Sequence, residues 1–384
     1  MTSARSGPLA GIRVIELAGL GPVPFAGMLL ADHGADVVRV DRPDLTEEQR
    51  RQARRILLNR GRRSVVLDLR SESGRAALRA LVARADVLME GFRPGVAERL
   101  GLAPRECLAD NPGLVYARMS GWGQTAPNRD EAGHDINFLA VSGLLDTIGT
   151  TDSGPVPPVM YLADFAGGGL TLAFAIAAAL VERGRSGRGQ VIDASILAGT
   201  AQFGIAVRGM MAQGRWQPRR GTNMFDTGAP FYGVYATRDG RYLAVGAYEP
   251  PFYANLIREL GLHDVDVRDQ FDRSRWPALK ARIAAIIASQ DLAHWVSRFD
   301  RVEACVTPVL TLAEAVKDRR YHAPGAYFHR EGVWQPAPGP RFSRTPSAPA
   351  PPAPEPGAHT VEVLREYGVD EATIRCLGCY ETSA

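Results

Sequence analysis

Short runs of apolar, mostly branched residues alternate with stretches of helical periodicity through the first third of the chain. The short runs predict strands over residues 12–17, 36–40, 64–69, 86–90 and 114–119. Helical patterns over residues 24–32 and 74–84 lie between strands. This alternation predicts an α/β fold in which helices cover a parallel sheet, and ligands of such folds bind beyond the carboxyl ends of the strands.

The pattern changes after two strongly apolar helices predicted over residues 170–181 and 196–211. Alternating residues on both sides of Arg238-Asp239-Gly240 predict a β-hairpin, and helical patterns follow it. The predicted division is a large domain over 1–215, a linker over 216–230, a small α+β domain over 231–322, a proline-rich return linker over 323–358, and C-terminal helices over 359–384 that rejoin the large domain.

Composition excludes several classes of protein. The 384 residues are 45% hydrophobic, which suffices for a sizeable core, and a net charge of +3 is too weak to indicate nucleic acid or a membrane surface as partner. Residues 1–11 contain no apolar leader, and the longest apolar stretch, around 167–180, is shorter than the roughly 20 residues of a membrane span. We therefore expect a cytoplasmic protein without a membrane segment.

The four cysteines, Cys107, Cys305, Cys376 and Cys379, are too few and too scattered for a disulfide framework. The pair Cys376-x-x-Cys379 lies at the end of the chain, and no second pair completes a zinc site. We expect these cysteines to be reduced and expect no metal ion.

Arginines follow two of the predicted strands. Arg39 and Arg42 lie at the end of the second strand, and Arg93 and Arg99 follow the fourth, where side chains converge on a ligand. Guanidinium groups suit phosphates, although any one of these arginines can equally be a solvated loop residue. A further cluster is interpreted as solvated surface: Arg60, Arg62 and Arg63.

Three titratable residues lie at breaks between predicted elements, where catalytic groups tend to occur: His134, Asp164 and Glu249. Asp164 precedes three glycines and the helix predicted from residue 170, so the amides just after it are expected to form a helix N-terminus suited to an oxyanion. Each residue also has a structural interpretation: a buried histidine satisfied by hydrogen bonds for the first, and helix caps for the two acids.

Four motifs distinguish these interpretations. They are Gly133-His134-Asp135-Ile136-Asn137, Asp164-Phe165-x-Gly167-Gly168, Gly121-Trp122-Gly123-Gln124-Thr125 and Glu249-Pro250. Together, in their order along the chain, they resemble the α-methylacyl-CoA racemases, which belong to the class III CoA-transferase superfamily. The similarity runs over nearly the whole chain.

The resemblance implies a fold and a ligand. It implies a large Rossmann-like domain built from both chain ends, a small domain, and two subunits interlocked as a homodimer. It places Arg42, Arg93 and Arg99 on the phosphates of CoA, and it places along the CoA path Leu88, Gly91, Asp135 and Phe138, the last where racemases often have tyrosine. CoA is then part of the acyl-CoA substrate, and no separate cofactor is expected.

Racemisation requires an acid–base group on each face of a planar enolate and stabilisation of the enolate oxygen. The resemblance implies that His134, oriented and made more basic by Glu249, serves one face, and that Asp164 serves the other. The backbone near Asp164 is the predicted oxyanion site. The expected activity is a 1,1-proton transfer on 2-methylacyl-CoA thioesters in lipid metabolism, with methyl-branched fatty acyl groups as the default.

Other activities use the same residues. In transferases of the superfamily the residue matching Asp164 attacks an acyl-CoA and forms an aspartyl-CoA thioester. The partner His134 favours the racemase, as does the absence of a run of four glycines from the sequence. A relative that uses the enolate differently, and a catalytically silent CoA-binding protein, are the remaining alternatives.

Overall fold

The computed structural model describes residues 6–377. The strands are β1 Arg13–Leu17, β2 Asp36–Asp41, β3 Arg62–Val66, β4 Val87–Glu90, β5 Val115–Ser120, β6 Gly149–Thr150, β7 Gly154–Pro155, β8 Gln190–Ser195, β9 Tyr232–Ala236, β10 Tyr242–Gly246, β11 Val306–Pro308, β12 Tyr327–Arg330 and β13 Val333–Pro336. Cys379 lies outside the described residues, whereas Cys107, Cys305 and Cys376 are free thiols.

The α-helices are α1 Pro22–Asp32, α2 Glu47–Ala53, α3 Glu72–Val82, α4 Val96–Arg99, α5 Pro104–Asp110, α6 Asp135–Val141, α7 Thr171–Ser186, α8 Ile196–Gln202, α9 Ile205–Ala212, α10 Pro250–Glu259, α11 Trp276–Ile287, α12 Leu292–Arg298, α13 Leu312–Ala315, α14 Thr360–Glu366 and α15 Glu371–Cys376. A π-helix over Leu162–Leu170 runs directly into α7.

A six-stranded parallel sheet in the order β3-β2-β1-β4-β5-β8 forms the centre of the first structural unit. The predicted α/β class is therefore confirmed, with β3 beginning two residues before its predicted start. The strand order reverses between β1 and β4, as in Rossmann folds, and such a switch point leaves a crevice at the carboxyl ends of the strands. A core of aliphatic residues from the sheet, α3 and α14 lies on one face.

Contacts divide the described chain into two compact units. The first contains residues 6–142, 159–203 and 325–377, and the second contains residues 143–158 and 204–324. These bounds differ from the predicted domains, because residues 143–158 and 204–215 belong to the second unit. Between α8 and α9 the predicted single helix breaks, at Phe203 and Gly204.

The second unit has a core of its own. The hairpin β9–β10 forms as predicted, and β11 pairs with β10 to complete an antiparallel sheet. Helices α10, α11 and α12 bury aromatic and aliphatic side chains against it, among them Phe231, Tyr253 and Trp276. This unit is therefore α+β.

The π-helix and α7 continue a single helical run, Val159–Ser186, which is longer than the apolar stretch visible in the sequence. Its 28 residues and mean hydropathy of 1.7 would suffice to cross a membrane, a test that core helices of globular proteins also pass. Here the run packs within the first unit: a Cβ added at Gly168 or Gly169 would lie 2.7 Å or 2.8 Å from atoms of Pro22. The glycines therefore allow close packing on α1.

The arginine cluster beside β3 is buried, which corrects the prediction of a solvated surface. Arg62 is fully buried at its side chain and donates to Glu16 Oε2 from Nη2 at 2.9 Å. Arg60 pairs with Asp32 at 2.6 Å, and Arg63 pairs with Asp36. The carboxylates come from earlier elements, so these pairs join β3 to the rest of the sheet layer.

The returning chain covers the same strand. The N–H of His359 donates to the carbonyl oxygen of Ser64 at 2.9 Å, and the N–H of Val66 donates to Thr360 Oγ1 at 3.1 Å. Arg63 Nη1 also pairs with Glu366 on α14 at 2.5 Å. Strand β3 is thus buried under residues from the C-terminal part, which explains why its arginines are not solvated.

We predict that Arg62→Met lowers the free energy of unfolding by about 3–5 kcal/mol, because it removes one partner of the buried Glu16 carboxylate. Arg51→Met is the control, since Arg51 pairs with Glu48 on the surface and such pairs contribute about 0–1 kcal/mol. Urea unfolding of both variants measures the difference. Equal midpoints for the two variants would contradict a stabilising role of the buried pair.

Candidate active site

A cleft of about 460 Å³ lies at the switch point of the sheet in the first unit. The turn after β4, the end of β5 and the beginning of α1 line it, together with the segment that leads into α6. His134 and Asp164 both face this cleft, as do Gly91, Arg93 and Phe138. The structure therefore brings five of the predicted site residues together.

His134 is held at the entrance to a helix. Its N–H donates to Asn137 Oδ1 at 3.0 Å, and its carbonyl oxygen accepts the N–H of Asn137 at 2.8 Å. These bonds fix the backbone of His134 as the N-cap of α6. The side chain is exposed, so the interpretation as a buried core histidine does not hold.

Asp135 connects this segment to the π-helix. Its Oδ2 accepts the N–H of Ala163 at 3.0 Å and the N–H of Asp164 at 2.8 Å. These are donors of the first helical turn, which otherwise lack an acceptor within the helix. Asp135 thus positions the backbone of Asp164 directly beside His134, a role that differs from the predicted contact with CoA.

This arrangement corrects the predicted oxyanion site. The helix begins at Leu162, before Asp164, so the amides that follow Asp164 lie inside the helix. The amides of Ala163 and Asp164, at the helix start, already donate to Asp135. The predicted helix N-terminus after Asp164 is therefore wrong, because the glycines pack inside a helix and do not begin one.

The surroundings of Asp164 make it a weak acid. The pKa of Asp164 is raised to about 6, first by burial and then by the neighbouring Asp135 carboxylate, and His134 partly offsets this increase. An acid with a pKa near the working pH can both take and return a proton.

Gly21 keeps the space beside the carboxylate open. A Cβ at this position would lie 3.1 Å from Asp164 Oδ2, and the φ of Gly21 is +66°, a conformation that disfavours other residues. Gly21 also caps α1, whose first residue is Pro22. The motif Gly19-x-Gly21-Pro22 lacks the third glycine of a dinucleotide signature, and Gly21 here allows the close approach to Asp164.

Aromatic rings form the opposite wall of the cleft. Phe138 is 3% exposed and packs edge-on against Trp122, with ring centroids 4.8 Å apart. Trp122 Nε1 donates to the carbonyl oxygen of Glu131 at 3.1 Å and so holds the loop that precedes His134. Phe138 therefore supports the wall by packing, where a tyrosine would add a hydroxyl.

A second cleft adjoins the first at Phe92. The ends of β1, β2 and β3 line it, and Arg42, 71% exposed at its side chain, lies at its edge. Arg93 and Arg99 are exposed, and neither pairs with a carboxylate among residues 6–377. Arg39, in contrast, pairs with Glu16 and Asp41 at 2.9 Å each, so its predicted convergence on a phosphate is wrong.

Two predicted residues are not among those that line these clefts. Leu88 is fully buried in the core beside β1, so its side chain has no surface for a ligand and the CoA path does not include it. Glu249 lies in the second unit, as the N-cap of α10. Its carbonyl oxygen accepts the N–H of Tyr253 at 3.0 Å, which leaves the carboxylate out of the helix.

The fold and the clefts define a Rossmann-type α/β protein with a histidine and an aspartate in one cleft at its topological switch point. The chain belongs to CoA-transferase family III, whose family model matches residues 9–360, and the predicted resemblance is confirmed. Among residues 6–377 no group of three or more His, Cys, Asp or Glu side chains is arranged to hold a metal ion.

Alpha-methylacyl-CoA racemase of Mus musculus is 48% identical over 369 residues, and the alignment covers 95% of each chain. The enzyme of the same name from Homo sapiens is 45% identical over 368 residues, again with 95% of each chain covered. A CaiB/BaiF family protein from Brucella suis has a structure with a TM-score of 0.80 at 27% identity, which covers 94% of this chain and 100% of that one. Relatives at 32–34% identity are named as CoA-transferases.

We predict that Asp135→Asn lowers the pKa of Asp164 from about 6, because loss of a neighbouring negative charge favours the ionised carboxylate. The pKa stays above its ordinary value since burial remains the largest cause. Carbon-13 NMR titration of the aspartate carboxyl groups measures it, with Asp164→Ala for assignment. Asp130→Asn, which removes an exposed charge, is the control, and an equal pKa in both variants would contradict the role of Asp135.

Proposed function

We propose that this protein is a racemase of 2-methylacyl-CoA thioesters. The observation that carries the proposal is the presence in one cleft of the His134 imidazole and of the Asp164 carboxyl group, whose pKa is raised to about 6. Full-length similarity to racemases supports the assignment. Isomerase activity of this kind belongs to lipid metabolism, and a cytoplasmic location stays a prediction.

The proposed chemistry is a two-base proton transfer. One of the two groups removes the α-proton of the thioester, and the other returns a proton to the opposite face of the enolate. Reaction in either direction starts from a pair that carries one exchangeable proton. In one direction His134 is protonated and Asp164 is ionised, and in the other Asp164 is protonated and His134 is neutral. The raised pKa of Asp164, about 6, makes both its protonated and its ionised forms accessible near neutral pH.

The enolate oxygen requires hydrogen-bond donors close to the reacting carbon. Because Asp135 occupies the amides of Ala163 and Asp164, we assign this role to the start of α6. The N–H groups of Asp135 and Ile136 lie in its first turn and have no acceptor within the helix. They follow His134 directly in the chain.

The two adjoining clefts give the CoA moiety a path. We assign its nucleotide to the cleft edged by Arg42 and its pantetheine to the turn at Gly91, in which Phe92 lines both clefts and Arg93 lines the cleft of His134. The lack of a side chain at Gly91 allows this turn to pack closely against Val23 of α1, since a Cβ there would lie 3.1 Å from Val23 Cγ2. Arg99, at the end of α4, supplies a further cation for the phosphates.

Glu249 and a second copy of the chain complete the proposal. Glu249 is assigned to orient His134 and to raise its basicity, as the resemblance implies.

An exposed apolar stripe on the long helical run is assigned to the dimer interface. It consists of Leu170, Phe174 and Val181, which are 52%, 72% and 58% exposed. Such a stripe is typical of a protein–protein contact.

Proton NMR of one enantiomer of a 2-methylacyl-CoA in deuterated water tests the function. Loss of the α-proton signal together with inversion is the expected result. A parallel sample contains a carboxylic acid acceptor, and no new thioester is expected in it. Formation of a new acyl-CoA with the α-proton retained would instead identify a CoA-transferase with Asp164 as nucleophile.

We predict that His134→Ala and Asp164→Ala each lower the rate of racemisation at least about 100-fold, the typical contribution of a positioned acid or base. Affinity for CoA changes little, because neither side chain is assigned to the nucleotide. Polarimetry measures the rate and calorimetry the affinity. Parallel loss of CoA binding would assign the residue a structural role.

We predict that Phe174→Glu converts the dimer to a monomer at micromolar concentration, because it places a charge in the apolar stripe. Leu312→Glu is the control, since Leu312 is also highly exposed but lies on α13 of the second unit. Analytical ultracentrifugation measures the mass of both variants. A Phe174→Glu protein that sediments like the control would contradict this interface.

A further inference from the structure

A carboxylate that no step of the proposed reaction uses is buried at the end of β4. Glu90 is 0% exposed, and its Oε2 accepts the N–H of Phe92 at 2.7 Å. This bond fixes the turn that follows the strand, in which Gly91 and Arg93 line the cleft. A buried carboxylate also requires a charged partner.

Arg118 on the neighbouring strand is that partner. It lies opposite Glu90 in the register of β4 and β5, and its Nε donates to Glu90 Oε1 at 2.9 Å. The two terminal nitrogens bond Glu98: Nη1 lies 2.9 Å from Oε1 and Nη2 donates to Oε2 at 3.2 Å. One guanidinium with 10% exposure therefore joins the sheet to α4, on which Glu98 lies.

A second contact ties the chain just after α4 to the same face of β5. Tyr116 lies two residues before Arg118, so the two side chains point to the same side of the strand. The hydroxyl of Tyr116 donates to the carbonyl oxygen of Leu102 at 2.7 Å. Helix α4 has only four residues and is too short to be stable alone, so these contacts determine its position.

Helix α4 ends at Arg99, the residue after Glu98. A shift or rotation of this helix moves the Arg99 guanidinium, and a change in the turn after Glu90 moves Arg93. The two arginines assigned to the CoA phosphates thus depend on the same buried ion network.

We propose that Glu90, Arg118 and Glu98 form a positioning network that holds Arg93 and Arg99 in the geometry required to bind the phosphates of CoA. The proposal rests on the proposed function, because it takes these phosphates from a CoA thioester. None of the three residues touches the reacting carbon. The network therefore acts on binding of the nucleotide and not on proton transfer.

Glu98→Gln is the most informative variant, because Glu98 is 39% exposed and tolerates the change better than the buried Glu90. Calorimetry with free CoA is expected to show an affinity about 3- to 10-fold weaker, the size of one charge-assisted contact. KM for the acyl-CoA rises by the same factor, and kcat changes less than about twofold. KM for the same acyl group on pantetheine, which lacks the nucleotide, stays unchanged.

A matched control and a double variant separate positioning from general stability. Asp110→Asn breaks a 2.9 Å pair that joins Asp110 on α5 to Arg79 on α3 in the same unit, and it is expected to leave CoA affinity unchanged. In an Arg99→Ala background, adding Glu98→Gln is expected to cause no further loss, because Glu98 acts through Arg99. Arg118→Lys, which keeps the charge but lacks the guanidinium fork, is expected to weaken CoA binding like Glu98→Gln.

The outcomes are distinguishable. A wild-type protein that binds no CoA would overturn both this proposal and the proposed function. Wild-type CoA binding with equal affinity in Glu98→Gln and Arg118→Lys would overturn the positioning network alone. Independent, multiplying losses from Glu98→Gln and Arg99→Ala would also overturn it, whereas a non-additive loss supports it.

Discussion

A single carboxylate joins the two parts of the candidate site. Asp135 accepts the N–H groups of Ala163 and Asp164, so the segment that carries His134 and the helix that carries Asp164 meet at two hydrogen bonds. The same carboxylate adds to the effect of burial and raises the pKa of Asp164. Placement and acidity of the aspartate thus have a common physical cause, and the proposed exchange of protons with His134 depends on both.

The parallel sheet determines where this contact lies. Reversal of strand order between β1 and β4 opens a crevice at the carboxyl ends, and the segments after β4 and β5 and before α1 converge there. Buried ion pairs hold the surrounding layer, with Arg62 on Glu16 at one side and Arg118 on Glu90 at the other. The net contribution of such a buried pair to the free energy of unfolding is small. Removing one partner is nevertheless costly, because it leaves the other charge buried and unpaired.

Local patterns predicted much of this architecture. Short apolar runs placed β1 and β2, and alternation around turn residues placed the β9–β10 hairpin, each within about a residue of the observed bounds. The sequence motifs also brought His134 and Asp164 forward as partners, and the structure places both in one cleft. These features depend on neighbouring residues in the chain, which a single sequence displays directly.

Features that depend on distant contacts were not predictable in this way. Arg60, Arg62 and Arg63 resemble a solvated cluster because their carboxylate partners lie 28, 46 and 27 residues away. A signal was present, since Glu16, Asp32 and Asp36 occur in otherwise apolar elements and buried acids require partners. The glycines after Asp164 suggested a helix start, whereas their function is close packing on Pro22, which only the tertiary structure reveals.

The central claim is that His134 and Asp164 serve opposite faces of one enolate. It is tested most directly by incubating each enantiomer of a 2-methylacyl-CoA separately with His134→Ala and with Asp164→Ala in deuterated water, and by following the α-proton by NMR. The account predicts that each variant exchanges the α-proton of one enantiomer only, without inversion, and that the two variants select opposite enantiomers. Exchange of both enantiomers by either variant, or selection of the same enantiomer by both, would contradict it.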